Sequence, residues 1–282
     1  MTRLQSAGRL ARRYFTAIPF FLLLGLILGG LLSVPLIPRP VIVTITVSGV
    51  LVDQEYTDNI LDMLQYARDD KSIRGVVLRL DSSGGSVSAV EQIYLDLLRL
   101  RQEKPVVVSV GNTAASGGYY IAVASNFIYA EPTSQLGNIG AWVNLPHPEE
   151  LDEDVSTTGP FKATGGSRLK AMAQLEMVRQ QFVEAVVSQR GERLGLSEEE
   201  LSRAELYAGI EGLKYGLIDD IGTRTAAVEK AASLAGLRNY DILDFVIPKP
   251  VTFWFFSSSD LAALKSQASL VPLYYYLYFE QE

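Results

Sequence analysis

The chain has 282 residues, with 25 Lys+Arg against 32 Asp+Glu and a formal net charge of −7. That balance leaves no overall basic surface for a polyanion and argues against a nucleic-acid partner. It contains no cysteine and one histidine, which excludes disulfides, thiolate metal sites, thiol nucleophiles and multi-histidine metal centres. No metal or organic cofactor is expected. His147 sits between Pro146 and Pro148 in an expected loop, so any catalysis should run on something other than imidazole.

In chain order, Arg3, Arg9, Arg12 and Arg13 precede an uncharged stretch from Tyr14 to Pro38 rich in Leu, Ile, Phe and Gly. About 20 apolar residues suffice to cross a bilayer, so this reads as an uncleaved single-pass anchor rather than a signal peptide, whose apolar region is usually only about 7–15 residues. The arginines should stay cytoplasmic, which sends the rest of the chain to the extracytoplasmic side of the cell membrane. After Pro38 short apolar strands alternate with amphipathic helices. Strands are expected at Val41–Val47, Val76–Leu80, Val106–Val110 and Phe127–Ala130. Ile60, Leu64 and Ala67 mark one helix face, and Val90, Ile93, Leu97 and Leu100 another.

Strands separated by helices predict an α/β fold with a parallel sheet of right-handed βαβ units. A longer helix, about Leu169 to Gln189, carries Met172, Leu175, Val178, Phe182 and Val186 on one stripe and should stop at Gly191. The acidic run Glu149 to Asp154 reads as a solvated loop. Beyond Pro248 and Pro250 come Phe253 to Phe256, then Tyr274 to Tyr276, Tyr278 and Phe279. These aromatic stretches are too short to span a membrane and read as surface docking or subunit contact, with interfacial membrane contact as the alternative. The expected division is 1–38 tail and anchor, 39–248 main domain, 249–282 aromatic tail.

Two glycine-bearing turns follow two of the strands. Asp81-Ser82-Ser83-Gly84-Gly85-Ser86 should join one strand to a helix near Val87, and Ala114-Ala115-Ser116-Gly117-Gly118-Tyr119-Tyr120 another strand to a helix reaching about Ser125. Paired glycines let a backbone turn sharply and bring N–H groups close to a ligand, and a helix N-terminus adds positive partial charge. Parallel sheets place ligands at this end of their strands. No Gly-Lys-Ser/Thr follows the first turn, so it is not a phosphate loop.

Ser116 would sit accessibly at a helix start, with the N–H of Gly117 and one from Gly84 or Gly85 forming an oxyanion hole. The structural alternative is that Ser116 only caps the helix. A serine nucleophile needs a base, and a lysine can serve if neutral. A free lysine is only about one part in 2,500 neutral at pH 7, so the site must desolvate the amine away from carboxylates. Between Pro105 and Leu213 the lysines are Lys162 and Lys170. Lys170, beside Arg168 in the long helix, reads as a solvated charge. Lys162 lies in Gly159-Pro160-Phe161-Lys162-Ala163-Thr164-Gly165-Gly166, among apolar or small neighbours, and local sequence alone favours an exposed loop lysine.

Together these residues resemble the signal peptide peptidase A family, membrane-anchored serine proteases of the ClpP/crotonase fold that use a Ser/Lys dyad. The resemblance runs from about Val41 to Leu237 and is carried by Asp81 to Val87, Ala115 to Tyr120, Leu136-Gly137-Asn138-Ile139-Gly140, Gly159 to Lys162, Tyr207 to Gly209 and Gly212 to Asp219. It implies a ClpP/crotonase-like spiral of βαβ units behind an N-terminal transmembrane helix. Ser116 would be the nucleophile, Lys162 the general base, and Gly84, Gly85 and Gly117 the oxyanion donors. Asn138 stands where the family commonly has a serine that orients the lysine, and an asparagine carbonyl can accept the same bond. Ser83 replaces a usual proline, and Ala163 and Thr164 replace a usual aspartate and isoleucine before the glycine.

The implied function is an endopeptidase that cleaves hydrophobic peptides, such as remnant signal peptides, at the membrane face as a homo-oligomer. The alternatives are an NfeD-type membrane-bound protease acting on hydrophobic segments of membrane proteins, an acyl-CoA-processing crotonase relative, and an inactive membrane scaffold.

Overall fold

The computed structural model describes residues 18–29, 39–145, 158–162, 164–245 and 273–277. Two compact units emerge, Met1–Arg39 and Pro40–Glu282. In the first, residues 18–29 form a helix, α1, whose side chains are all exposed. Among the described residues no helix is long and apolar enough to cross a membrane. The rest of the expected anchor, and also His147, the acidic run and Phe253 to Phe256, lie outside the described residues.

The second unit contains β1 (Val41–Leu51), α2 (Gln54–Asp69), β2 (Ile73–Ser86), α3 (Val87–Glu103), β3 (Val106–Ala115), α4 (Gly117–Ala122) and β4 (Phe127–Ala130). There follow β5 (Gln135–Gly137), β6 (Trp142–Asn144), α5 (Arg168–Arg190), α6 (Glu198–Leu201), β7 (Leu206–Ala208), α7 (Gly209–Lys214), β8 (Asp220–Ile221), α8 (Arg224–Leu234), β9 (Asp241–Phe245) and β10 (Leu273–Leu277). The expected strands and helices are all present, and the fold is α/β. Strands β9, β1, β2, β3, β4 and β8 run parallel, side by side.

Why the strands read as unbroken apolar runs is visible in their alternation. Val43, Ile45, Val76, Leu78, Val106 and Val108 point into a core with α2, α3 and α4, whereas Ile42, Val77 and Val107 point the other way, onto Ala227, Val228 and Ala231 of α8. A parallel sheet covered on both faces needs apolar residues at successive positions. Each fully buried Val, Leu or Ile contributes about 1.5–3 kcal/mol relative to exposure. Helix ends are set by capping: Asp53 accepts from the amide of Tyr56 at 2.7 Å ahead of α2, Ser86 and Ser167 cap α3 and α5, and Gly191 closes α5 at φ 54°.

Three expectations are corrected. The segment Asp81 to Ser86 is not a turn but the extended end of β2, because Gly84 and Gly85 pair with Val50 and Leu51 of β1. In α5 the apolar stripe is buried only in its second half: Phe182 and Val186 are buried and Met172 is exposed. The aromatic tail does more than dock on a surface, since β10 enters the sheet between β2 and β6, antiparallel to both.

Candidate active site

The ends of β2 and β3 meet where the sheet splits. Beyond Val110, β3 leaves β4 and pairs instead with β5, Ala115 opposite Gly137. The amide of Ser116 donates to the carbonyl of Gly137 at 2.8 Å. Ser116 stands between β3 and α4 with φ 50° and ψ −122°, a conformation that non-glycine residues rarely occupy. Such strain costs of order 1–3 kcal/mol and persists only where surrounding structure imposes it. The alternative of a capping serine fails, because the Ser116 side chain makes no capping hydrogen bond to α4. Contrary to the expectation of an accessible side chain, Ser116 is buried, 1% exposed, and its hydroxyl makes no hydrogen bond among the described residues; a sharp strand-to-helix turn is the position of the serine in a nucleophile elbow.

The glycines let two backbones touch. A β-carbon on Gly117 would lie 2.6 Å from a Val90 methyl and 3.0 Å from the α-carbon of Gly84. One on Gly118 would lie 2.3 Å from the carbonyl oxygen of Ser82. Gly84 itself has φ 102°, and its β-carbon would fall 2.7 Å from the amide nitrogen of Gly117. Gly84 and Gly117, and with Gly117 its neighbour Ser116, are therefore brought together by contacts that only glycine permits, while Gly85 packs instead on Leu51 of β1. At the first turn of α4, the N–H of Gly117 has no acceptor among the described residues. The N–H of Gly84 donates to the Ser82 hydroxyl at 3.1 Å, and that hydroxyl donates to the Gly49 carbonyl at 2.6 Å. An oxyanion would draw on Gly84 only by exchange with that bond.

Asn138 follows Gly137 directly, with φ 52°. Its side-chain nitrogen donates to the Ala204 carbonyl at 2.8 Å, and its own amide donates to the Glu205 carbonyl at 2.8 Å. The carboxamide nitrogen is thus committed, and its oxygen is the atom left to accept.

Lys162 is not drawn into this cluster. It sits on an exposed turn held by a bond from the Gly165 amide to the Phe161 carbonyl at 2.8 Å. Its amine forms no hydrogen bond or ion pair among the described residues, and no bond joins it to Ser116 or Asn138. Within one chain, Lys162 lacks the dry environment a neutral amine requires.

Two supports went unassigned in the sequence. Arg190, 3% exposed, forms a two-pronged pair with Asp219 at 3.1 and 3.0 Å, and Asp219 also accepts from the Ile128 amide at 2.8 Å. Tyr119, two residues past the elbow's Gly117, donates to the Leu217 carbonyl at 2.8 Å and so ties α4 to the same segment. Burial pushes the Tyr119 hydroxyl well above its ordinary range, so it stays a neutral donor. The second is Tyr276 of β10, fully buried against Tyr120 and Phe182. An Arg late in a helix and a Tyr in an aromatic tail carry no local signal of these distant partners. Among the described residues no cluster of His, Asp or Glu could hold a metal ion.

The signature described as Peptidase family S49 matches residues 99–238, and that of Clp protease matches residues 42–136. Protease 4 of Haemophilus influenzae is 32% identical over 70% of this chain, a match spanning 35% of that relative's length. Serine protease SPPA, chloroplastic, of Arabidopsis thaliana is 25% identical over 64% of this chain and 29% of its own length. The matched region thus covers about a third of each. A solved structure of a 1510-N membrane-bound stomatin-specific protease superposes with TM-score 0.50 at 18% identity, over 75% of this chain and all of that one, which is a likeness of fold. By these matches the chain belongs to peptidase family S49, the signal peptide peptidase A family.

Proposed function

We propose that this chain is a membrane-anchored serine endopeptidase that cleaves hydrophobic peptides, remnant signal peptides among them, on the extracytoplasmic side of the membrane. Ser116 attacks the peptide carbonyl, the N–H of Gly117 and one from Gly84 or Gly85 receive the oxyanion, and Lys162 takes the hydroxyl proton and returns it to the leaving amine. The observation that carries this reading is the strained, uncapped Ser116 on the turn before Gly117, whose backbone packs directly on Gly84. Asn138 accepts a hydrogen bond from the lysine through its free oxygen. The exposed turn of Lys162 acquires its desolvated setting in a homo-oligomer, when a neighbouring subunit covers it. The apolar side chains all round α1 support the anchor.

A fluorophosphonate probe tests the reading. Labelling at Ser116 that disappears in Lys162→Ala supports it. Absent labelling of folded, oligomeric protein would mark the chain as a non-catalytic scaffold.

A further inference from the structure

A cleft that the peptide chemistry does not use borders the elbow. It opens between α3 and α5, has a volume of about 400 Å³ and is lined by Glu91, Tyr94 and Leu95 of α3, Tyr120 of α4, and Glu184 and Ala185 of α5. Neither Tyr276 nor Phe182 lines it, so it is separate from the pocket that holds Tyr276. Two contacts tie the cleft to the candidate active site. The amide of Tyr120 donates to the Ser116 carbonyl at 3.0 Å. Val90, the neighbour of Glu91, carries the methyl that a β-carbon on Gly117 would meet at 2.6 Å.

The polar groups of this cleft lack partners. Neither the Glu91 nor the Glu184 carboxylate forms an ion pair or hydrogen bond among the described residues, and no lysine or arginine lines the cleft. Tyr120 is 5% exposed, and its hydroxyl also makes no hydrogen bond among the described residues. Burial above all, and then the nearby carboxylate of Glu91, push that hydroxyl well above its ordinary range, so it stays protonated. Its oxygen is free to accept a hydrogen bond. Two unpaired carboxylates and a buried phenol oxygen match a ligand that is positively charged and only donates. The rings of Tyr94 and Tyr120, stacked at 4.6 Å, favour one that is also flat. A guanidinium has five donors, no acceptor and a planar face that stacks on aromatic rings, whereas an ammonium supplies the charge alone.

We propose that the cleft between α3 and α5 binds an arginine side chain of the substrate peptide, so that the site selects an apolar segment flanked by a basic residue. This deepens the peptidase reading and rests on it. A remnant signal peptide has that composition, its apolar region adjoining a positively charged one. The guanidinium supplies the counter-charge that Glu91 lacks in the free chain. Because the fold has already desolvated that carboxylate in part, pairing it costs less on binding.

The test uses the full chain, with Ser116→Ala for binding and with Ser116 intact for hydrolysis. A dansylated peptide of leucine and alanine carries one arginine, at each position in turn, and is compared with the same peptides carrying lysine or the neutral isostere citrulline. Each set is repeated with Glu91→Gln/Glu184→Gln in the cleft. Glu55→Gln/Glu192→Gln, at exposed positions elsewhere, removes the same formal charge and controls for the net charge of −7.

At one position or more, arginine should bind about tenfold tighter than citrulline, with lysine between them, and should raise kcat/KM in the same order. The preference should vanish in the cleft variant and persist in the control. Such a preference in binding, without hydrolysis by the intact chain, would uphold the cleft and sink the peptidase reading. Hydrolysis with no preference, or with one that the cleft variant keeps or the control equally removes, would overturn the cleft and leave the peptidase reading standing. Neither hydrolysis nor a preference lodged in the cleft would overturn both.

Discussion

Ser116 and Gly137 are joined backbone to backbone, the amide of one donating to the carbonyl of the other at 2.8 Å. That bond continues the pairing of β3 with β5 past Ala115 and sets Asn138 next to Ser116. Asn138 holds its left-handed conformation with help from its bond to the Ala204 carbonyl. Asn138→Ala removes the bond and keeps a β-carbon at positive φ, so it should lower stability by about 1–2 kcal/mol. Asn138→Gly loses the same bond but relaxes the backbone, and should cost less. Urea denaturation of the two variants checks the order.

The contacts at the glycine pairs make a second expectation specific. Gly118→Ala drives a methyl to 2.3 Å from a backbone oxygen that has no soft side chain to yield, and overpacking of this kind costs about 1–3 kcal/mol or more. Gly195 supplies the contrast. Its added β-carbon would meet only ordinary contacts at 3.6 Å and longer, and its φ lies outside the left-handed region. Gly195→Ala should therefore be neutral or raise stability by about 0.4–1 kcal/mol through the unfolded chain. Thermal denaturation of both variants decides whether close approach or glycine content is what matters.

A third concerns the buried ion pair. Asp219→Ala leaves the Arg190 guanidinium buried at 3% exposure without its carboxylate, a change that typically costs about 3–5 kcal/mol. Replacing both partners, Arg190→Met with Asp219→Leu, should recover part of that loss: the buried guanidinium is gone, while the half-exposed Arg193 loses its partner at 2.7 Å and the Ile128 amide its acceptor. Recovery would be read from denaturant midpoints of the single and double variants.

Glu91 gives a pH test. It is half-buried on α3 near the Tyr120 pocket, and desolvation raises its carboxyl above the ordinary value of 4.5. The folded state thus favours the neutral acid. Its stabilising contribution is full below pH 4.5 and is lost as pH rises through the raised folded value. Glu91→Gln should raise the melting temperature at neutral pH, and the advantage should vanish toward about pH 4. A constant difference across that range would show that the carboxyl is not the cause.

Much of the parallel sheet was legible because periodicity is local: Val41–Val47, Phe127–Ala130 and the stripe Val90, Ile93, Leu97, Leu100 declare strand and helix from neighbouring residues alone. Ser116 was legible for the same reason, since its two glycines follow it directly. What the sequence hid is set by distant partners. The end of β2 reads as a turn because glycines usually break strands, yet β1 and β10 hold Gly84 and Gly85 extended. The tail's Tyr276 reads as a surface aromatic because its pocket is made of Tyr120 and Phe182, more than ninety residues away. Met172 shares the apolar spacing of Phe182, but the core reaches only the second half of α5.

Whether an uncharged lysine amine activates Ser116 is read most directly from peptide hydrolysis by Lys162→Arg. Arginine keeps the positive charge and the length of the side chain but does not deprotonate at accessible pH. In this variant kcat/KM should fall by about 10²–10⁴-fold, the range supplied by a general base, while folding and assembly are unchanged. Hydrolysis by that variant at the wild-type rate would remove Lys162 from the reaction.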